Sequence, residues 1–149
     1  MRHAIPGFLM GIALTLAISA YAQKAPPQTQ SQASIVNMAK APLRRAPSGK
    51  AELRILAKGD QAFIGHLSMA AGAKVPLHRD ESEEYIHILE GSGTITIDGH
   101  ASTIGPGSTV YMPANAEVTF TNDDKALKGL QVFAPPTSAR KYDGWKVIK

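Results

Sequence analysis

At 149 residues, 44% hydrophobic and with a formal charge of +4, the chain has room for one ordinary domain around a single core, and it is too apolar for disorder over most of its length. It has no cysteine, which excludes disulfides, thiolate zinc sites, a cysteine nucleophile and a lipidated cysteine anchor. It also lacks a basic stripe with interleaved aromatics, which makes nucleic acid a poor candidate, and no nucleic-acid partner is expected.

The first segment is a targeting signal by pattern. Arg2 and His3 precede an uncharged run from Ala4 to Ala22 that ends in Ala20-Tyr21-Ala22, an A-x-A cleavage site. The expectation is cleavage after Ala22 and a periplasmic or secreted protein with no stable membrane insertion. The alternative is an uncleaved anchor with the domain facing outside the cytoplasm, since the run approaches the roughly 18 to 20 apolar residues that span a bilayer. Residues 23–50 carry Lys24, Lys40, Arg44, Arg45 and Lys50, no acidic residue, and much Pro, Gln, Ser and Ala. Such a composition buries too little apolar surface to offset ordering, so this stretch is expected to be a flexible basic linker. Loss of Arg2 leaves +3, and the five basic residues of the linker leave −2 for the rest of the chain. Within the linker, Ile35, Val36 and Met38 form an apolar cluster that could dock on the domain.

After Lys50 the chain turns to short apolar runs: ELRILA, AFIGHLSM, EYIHILE, TITID, ASTI, STVYM, EVTFTN and LQVFA. Turn residues separate them, among them Gly91-Ser92-Gly93, Asp98-Gly99 and Gly105-Pro106-Gly107. About eight short strands without a useful helical period imply an all-β antiparallel sandwich or barrel over residues 51–136, followed by a C-terminal tail, 137–149. Alternation places Glu84, Ile86 and Ile88 on the inner face of one strand and Tyr85, His87 and Leu89 on the other. A carboxylate among inward aliphatics suggests a pocket rather than a plain core.

Two spaced patterns sharpen this reading. Gly72, His78, Asp80, Glu84 and Gly91 are separated by five, one, three and six residues. Fifteen residues later, Gly107, Pro113, Asn115, Val118 and Asn122 follow with gaps of five, one, two and three. The first pattern resembles the first cupin motif with its second histidine replaced by Asp80. The second is similar to the second cupin motif, with Asn115 where a glycine is usual and Val118 where the family has its last metal-binding histidine. The resemblance, over roughly 52–135, implies a single-domain, RmlC-like cupin jelly roll; homodimers are common in that family.

It also implies a metal position at His78, Asp80 and Glu84. His78 and Asp80, two apart on an extended segment, can face the same way, with Glu84 across a turn. One imidazole and two carboxylates lean toward Mn, Mg, Ca or weakly held Zn and away from Cu and Ni. One divalent ion, Mn, Fe or Zn, is the cofactor expected if the site is loaded; a lapsed site is the alternative. Two functions stay open. One is a binding protein whose ligand pocket comprises His78, Asp80, Glu84, Ile86 and Val118 and takes a small-molecule ligand. The other is an enzyme of dioxygenase, isomerase or lyase type using His78, Asp80 and Glu84, or a metal-free variant in which Asp80 and Glu84 share proton transfer with His78. Elsewhere, Arg79, Glu81 and Glu83 read as a solvated loop, His87 and His100 as exposed, and His66 as facing either way. Tyr111, Phe120 and Gln131 could line the cavity, and Trp145 reads as a cap on the barrel.

Overall fold

The computed structural model describes residues 32–148. The proposed signal segment and the first part of the linker lie outside them. Among the described residues eleven strands form: β1 Leu43–Arg45, β2 Ala51–Lys58, β3 Phe63–Met69, β4 Lys74–His78, β5 Glu83–Glu90, β6 Gly93–Ile97, β7 His100–Ile104, β8 Thr109–Met112, β9 Val118–Asn122, β10 Leu127–Ala134 and β11 Lys146–Ile148. They pair antiparallel in two sheets, one ordered β11-β1-β2-β3-β10-β5-β8 and the other β4-β9-β6-β7. Alternation decides what each buries. Every second residue of β3 and β10 is buried, and Phe63, Leu67, Met69, Leu127 and Phe133 meet Ile95, Val118 and Phe120 of the smaller sheet in one core. On β5, Glu84 and Ile88 are buried while Tyr85, His87 and Leu89 are exposed, as alternation requires.

Three stretches differ from the sequence expectation. Residues 43–45, expected in the linker, form β1 because they pair with β2 on one side and β11 on the other, and Ala41 just before them is buried. The expected tail is instead a 3-10 helix, Pro136–Gly144, followed by β11. Both are nonlocal pairings that no local periodicity announces. Ile35, Val36 and Met38 do not dock: all three are exposed.

The third is β4, whose Pro76 argues against a strand by composition. β4 lies at the edge of its sheet, where a missing N–H costs no ladder bond. Its register against β9 runs Val75↔Phe120 and then His78↔Val118, so β4 carries one extra residue over this interval. That bulge shifts the alternation by one. Val75 and His78 therefore both reach the barrel interior, while Leu77 is left 62% exposed.

Two turns show why the spaced patterns are kept. Gly91 has φ +78°, and a Cβ there would stand 2.7 Å from the Leu127 Cα and against the Ala126 carbonyl. Asn115 has φ +64°, which asparagine tolerates better than most residues, so it serves where glycine is usual. Gly91→Ala is expected to cost about 2–4 kcal/mol, combining left-handed strain with a clash against backbone that has no rotamer to change. Urea denaturation of the variant beside the parent would measure it, and a loss under about 0.5 kcal/mol would show that the β5–β6 turn yields freely.

Candidate functional site

Glu84 enters the interior on β5 between Phe133 of β10 and Met112 of β8, its partners in register. It is 5% exposed. One carboxylate oxygen accepts from Gln131 Nε2 at 2.5 Å, and Gln131 Oε1 in turn accepts from the Tyr142 hydroxyl at 2.5 Å. Burial pushes the Glu84 carboxyl above its usual range, and the Gln131 hydrogen bond opposes this. Burial, reinforced by the nearby Glu84 charge, likewise pushes the Tyr142 phenol well above 10.

His78 is oriented by its own strand. Its Nδ1 lies 3.0 Å from the Pro76 carbonyl, an acceptor only, so Nδ1 carries the proton and Nε2 faces the site. Nε2 stands 3.5 Å from Asp80 Oδ2. In the protonated ring Nε2 donates to Asp80, which raises the imidazole pKa against the opposing effect of burial. Asp80 is held by its backbone: the Asn115 N–H donates to its carbonyl at 2.6 Å, and Arg79 Nη1 donates to the Asn115 carbonyl at 2.6 Å. Burial alone would raise the Asp80 carboxyl, but hydrogen bonds from His78 and Lys141 outweigh it and hold it low. Donor atoms of His78, Asp80 and Glu84 all lie within 4.8 Å of one another. The spacing thus brings together the three residues singled out from sequence.

Val118 sits opposite His78 in register, buried, and offers only methyl groups to this cluster. Beyond it lies a cavity of about 350 Å³ whose wall is mostly aliphatic, with Ile86, Ile88, Ile95 and Val118 prominent and with His78, Glu84 and Gln131 at one pole. Asp80, expected in the ligand pocket, is not part of that wall; it meets the pole through His78 and Lys141. Tyr111, a candidate lining residue, lies outside, stacked on Tyr85 with centroids 5.0 Å apart and both hydroxyls directed at Glu83. Phe120 and Gln131 do line the cavity. His66 is on the outer face of β3 beside Arg54; burial first, then Lys128 and Arg54, lower its pKa. His87 is exposed and bonds Thr109, and His100, the first residue of β7, is exposed.

The residues that the sequence reading missed are Lys141 and Tyr142, both in the expected tail. Lys141 Nζ is 2.6 Å from Asp80 Oδ2 and 4.6 Å above the Phe133 ring. Tyr142 packs against Phe63 and Phe133 and meets Trp145 edge-on at 4.8 Å; Trp145 covers part of the cavity. One signal was available. Pro136, Ala139, Tyr142 and Trp145 recur at intervals of three, the spacing at which 3-10 side chains line up on one face.

Residues 65–133 match the family model of a cupin domain. The described residues thus have the all-β cupin fold, and residues 65–133 are similar to a cupin domain. Its fold agrees with an RmlC-like cupin from Shewanella frigidimarina, with a TM-score of 0.64 at 13% identity over 71% of this chain and 94% of that one. Two relatives are similar in sequence. Auxin-binding protein T92 of Nicotiana tabacum is 31% identical over 93 residues, covering 54% of this chain and 50% of the relative. Dimethylsulfoniopropionate lyase DddW of Ruegeria pomeroyi is 34% identical over 74 residues, covering 46% and 49%. The chain thus spans about half the length of these relatives.

Cupins often bind metals, and the donor set here can be tested against one. Three hard or borderline donors converge, which suits a divalent ion with water in the open positions. The charge does not suit it. An ammonium already holds one oxygen of Asp80, and the fourth wall is the apolar Val118. With Lys141 in place the cluster does not fit a tightly held divalent ion.

Proposed function

We propose that this protein is an extracytoplasmic binding protein for a small, mostly apolar molecule held inside the barrel. The observation that carries the reading is the cavity: about 350 Å³, aliphatic over most of its wall and polar at one pole. That volume falls in the range of small-molecule sites, which are apolar pockets with a few convergent polar groups. Glu84 and His78 would orient the ligand's polar end, while Ile86, Ile88 and Val118 would take its body. The extracytoplasmic placement rests on the signal-like residues 1–22. Among the relatives are a protein named for binding and one named as a lyase. The binding reading is preferred because the pole is internally charge-paired and walled by Val118.

The test is titration with the environment-sensitive dye 1-anilinonaphthalene-8-sulfonate. Saturable one-to-one fluorescence enhancement is expected, and Val118→Phe should weaken it at least tenfold by filling the cavity, with unchanged circular dichroism. Ile95→Phe repeats the test from the neighbouring strand of the same sheet. Enhancement unaffected by either variant would place the dye on the surface and overturn the reading.

A further inference from the structure

We propose that the ammonium of Lys141 is the resident cation of the His78, Asp80 and Glu84 cluster, standing in for a divalent metal and keeping the site closed to one. The inference concerns what balances the two carboxylates, and it holds whether or not the cavity takes a ligand.

Four observations converge on it. First, Nζ makes a charge-assisted contact of 2.6 Å with Asp80 Oδ2, the oxygen that His78 Nε2 also faces at 3.5 Å. A metal held by imidazole and Asp80 would compete for the atoms this contact uses. Second, the ammonium is cradled by aromatic faces, 4.6 Å from the Phe133 centroid and 5.8 Å from that of Tyr142. The side chain stays 36% exposed, so these faces add to its remaining hydration. Third, Val118 occupies the wall opposite His78, so displacing the lysine would not give a metal a fourth protein donor.

Fourth, the lysine is delivered by a fixed element. The 3-10 helix that carries it is pinned near its start by reciprocal bonds: the Ser82 N–H donates to Ser138 Oγ and the Ser138 N–H to Ser82 Oγ, both at 3.1 Å. Near its end, Arg44 Nη1 donates to the carbonyls of Tyr142 and Asp143, each at 3.1 Å, and β11 then joins the sheet through β1. Ala139 and Tyr142 are buried on the same face. Lys141 is itself exposed, and with both ends of its helix tied less chain entropy is lost in holding Nζ over Asp80 than for a lysine on a free segment. The charge partner of Asp80 is thus built from the far end of the chain, 61 residues away.

The experiment uses the full chain, expressed without a histidine tag and purified in the processed form the cell leaves. Equilibrium dialysis against Mn²⁺ and Zn²⁺ followed by elemental analysis reads bound metal directly. Wild type is expected to retain little metal. Lys141→Met, which keeps an apolar stem over Phe133 and removes the charge, is expected to bind Mn²⁺ at least tenfold more tightly. Lys141→Arg should stay metal-poor, and adding Asp80→Ala to Lys141→Met should abolish the gain. If the methionine variant does not fold by circular dichroism, Lys141→Gln serves the same comparison. Near-stoichiometric metal in dialysed wild type, or no gain in either neutral variant, overturns the proposal. Dye binding by wild type is read separately, so failure here and failure of the binding reading remain distinguishable.

Discussion

Phe133→Ala is expected to destabilise the protein by about 3–5 kcal/mol, with a fall in Tm of roughly 10–20 °C, because it removes a fully buried ring from a site that cannot collapse. The ring has no exposed surface. It packs tilted against Phe63 at 6.3 Å and Tyr142 at 6.4 Å, and Lys141 stands over its face. Phe133 is on β10, between β3 and β5 in the centre of the larger sheet, so the backbone on both sides is fixed by ladder bonds and cannot move in to fill the gap. A second loss follows from its neighbours: Glu84 is its register partner, and the ammonium loses its aromatic support. Phe133→Leu keeps much of the volume and should cost less than half as much. Urea and thermal denaturation of both variants would measure these effects; a loss under about 1 kcal/mol for the alanine variant would mean that the C-terminal end of β10 lies outside the cooperative core.

The contrast between what was and was not legible in the sequence is a contrast between local and nonlocal causes. Alternation along residues 84–89 assigns the two faces of β5 because a strand has a period of two whatever it packs against. The spacing of His78, Asp80 and Glu84 survives because turns such as Gly91 and Asn115 tolerate few substitutes, so residue type reports backbone conformation. β4 was obscured by Pro76, which marks an edge and a bulge rather than the absence of a strand. β1 and β11 were unreadable for a stronger reason: each has three residues, and they pair with each other at one edge of the larger sheet from opposite ends of the described residues. Lys141 shares that difficulty. The three-residue recurrence marks the 3-10 helix but not Lys141 itself, whose role comes from that helix closing over a cluster laid down much earlier in the chain.

Tyr142 offers a way to separate packing from polar pairing at the same place. Tyr142→Phe is expected to cost about 1–3 kcal/mol, although it deletes a single oxygen. The hydroxyl donates to Gln131 Oε1, and both residues are buried, so the variant leaves an acceptor in the interior with no partner. Gln131 is also the group that donates to Glu84. Freed from Tyr142, its amide can rotate, and the buried carboxylate then loses the one neutral donor that offsets its desolvation. Tyr142→Ala should cost about 3–5 kcal/mol, because it removes the ring as well, opening the contacts with Phe63, Phe133 and Trp145. The two variants should also differ in the cavity, whose wall includes Tyr142. The phenylalanine variant should keep dye binding near the parent level, since the wall stays closed and apolar. The alanine variant should loosen it, since the helix loses the side chain that seats it on the barrel. Denaturation and dye titration on the same preparations give both readings. Equal stability losses for the two variants would assign the whole effect to the Tyr142, Gln131 and Glu84 chain, and would mean that the ring contributes little to holding the helix in place.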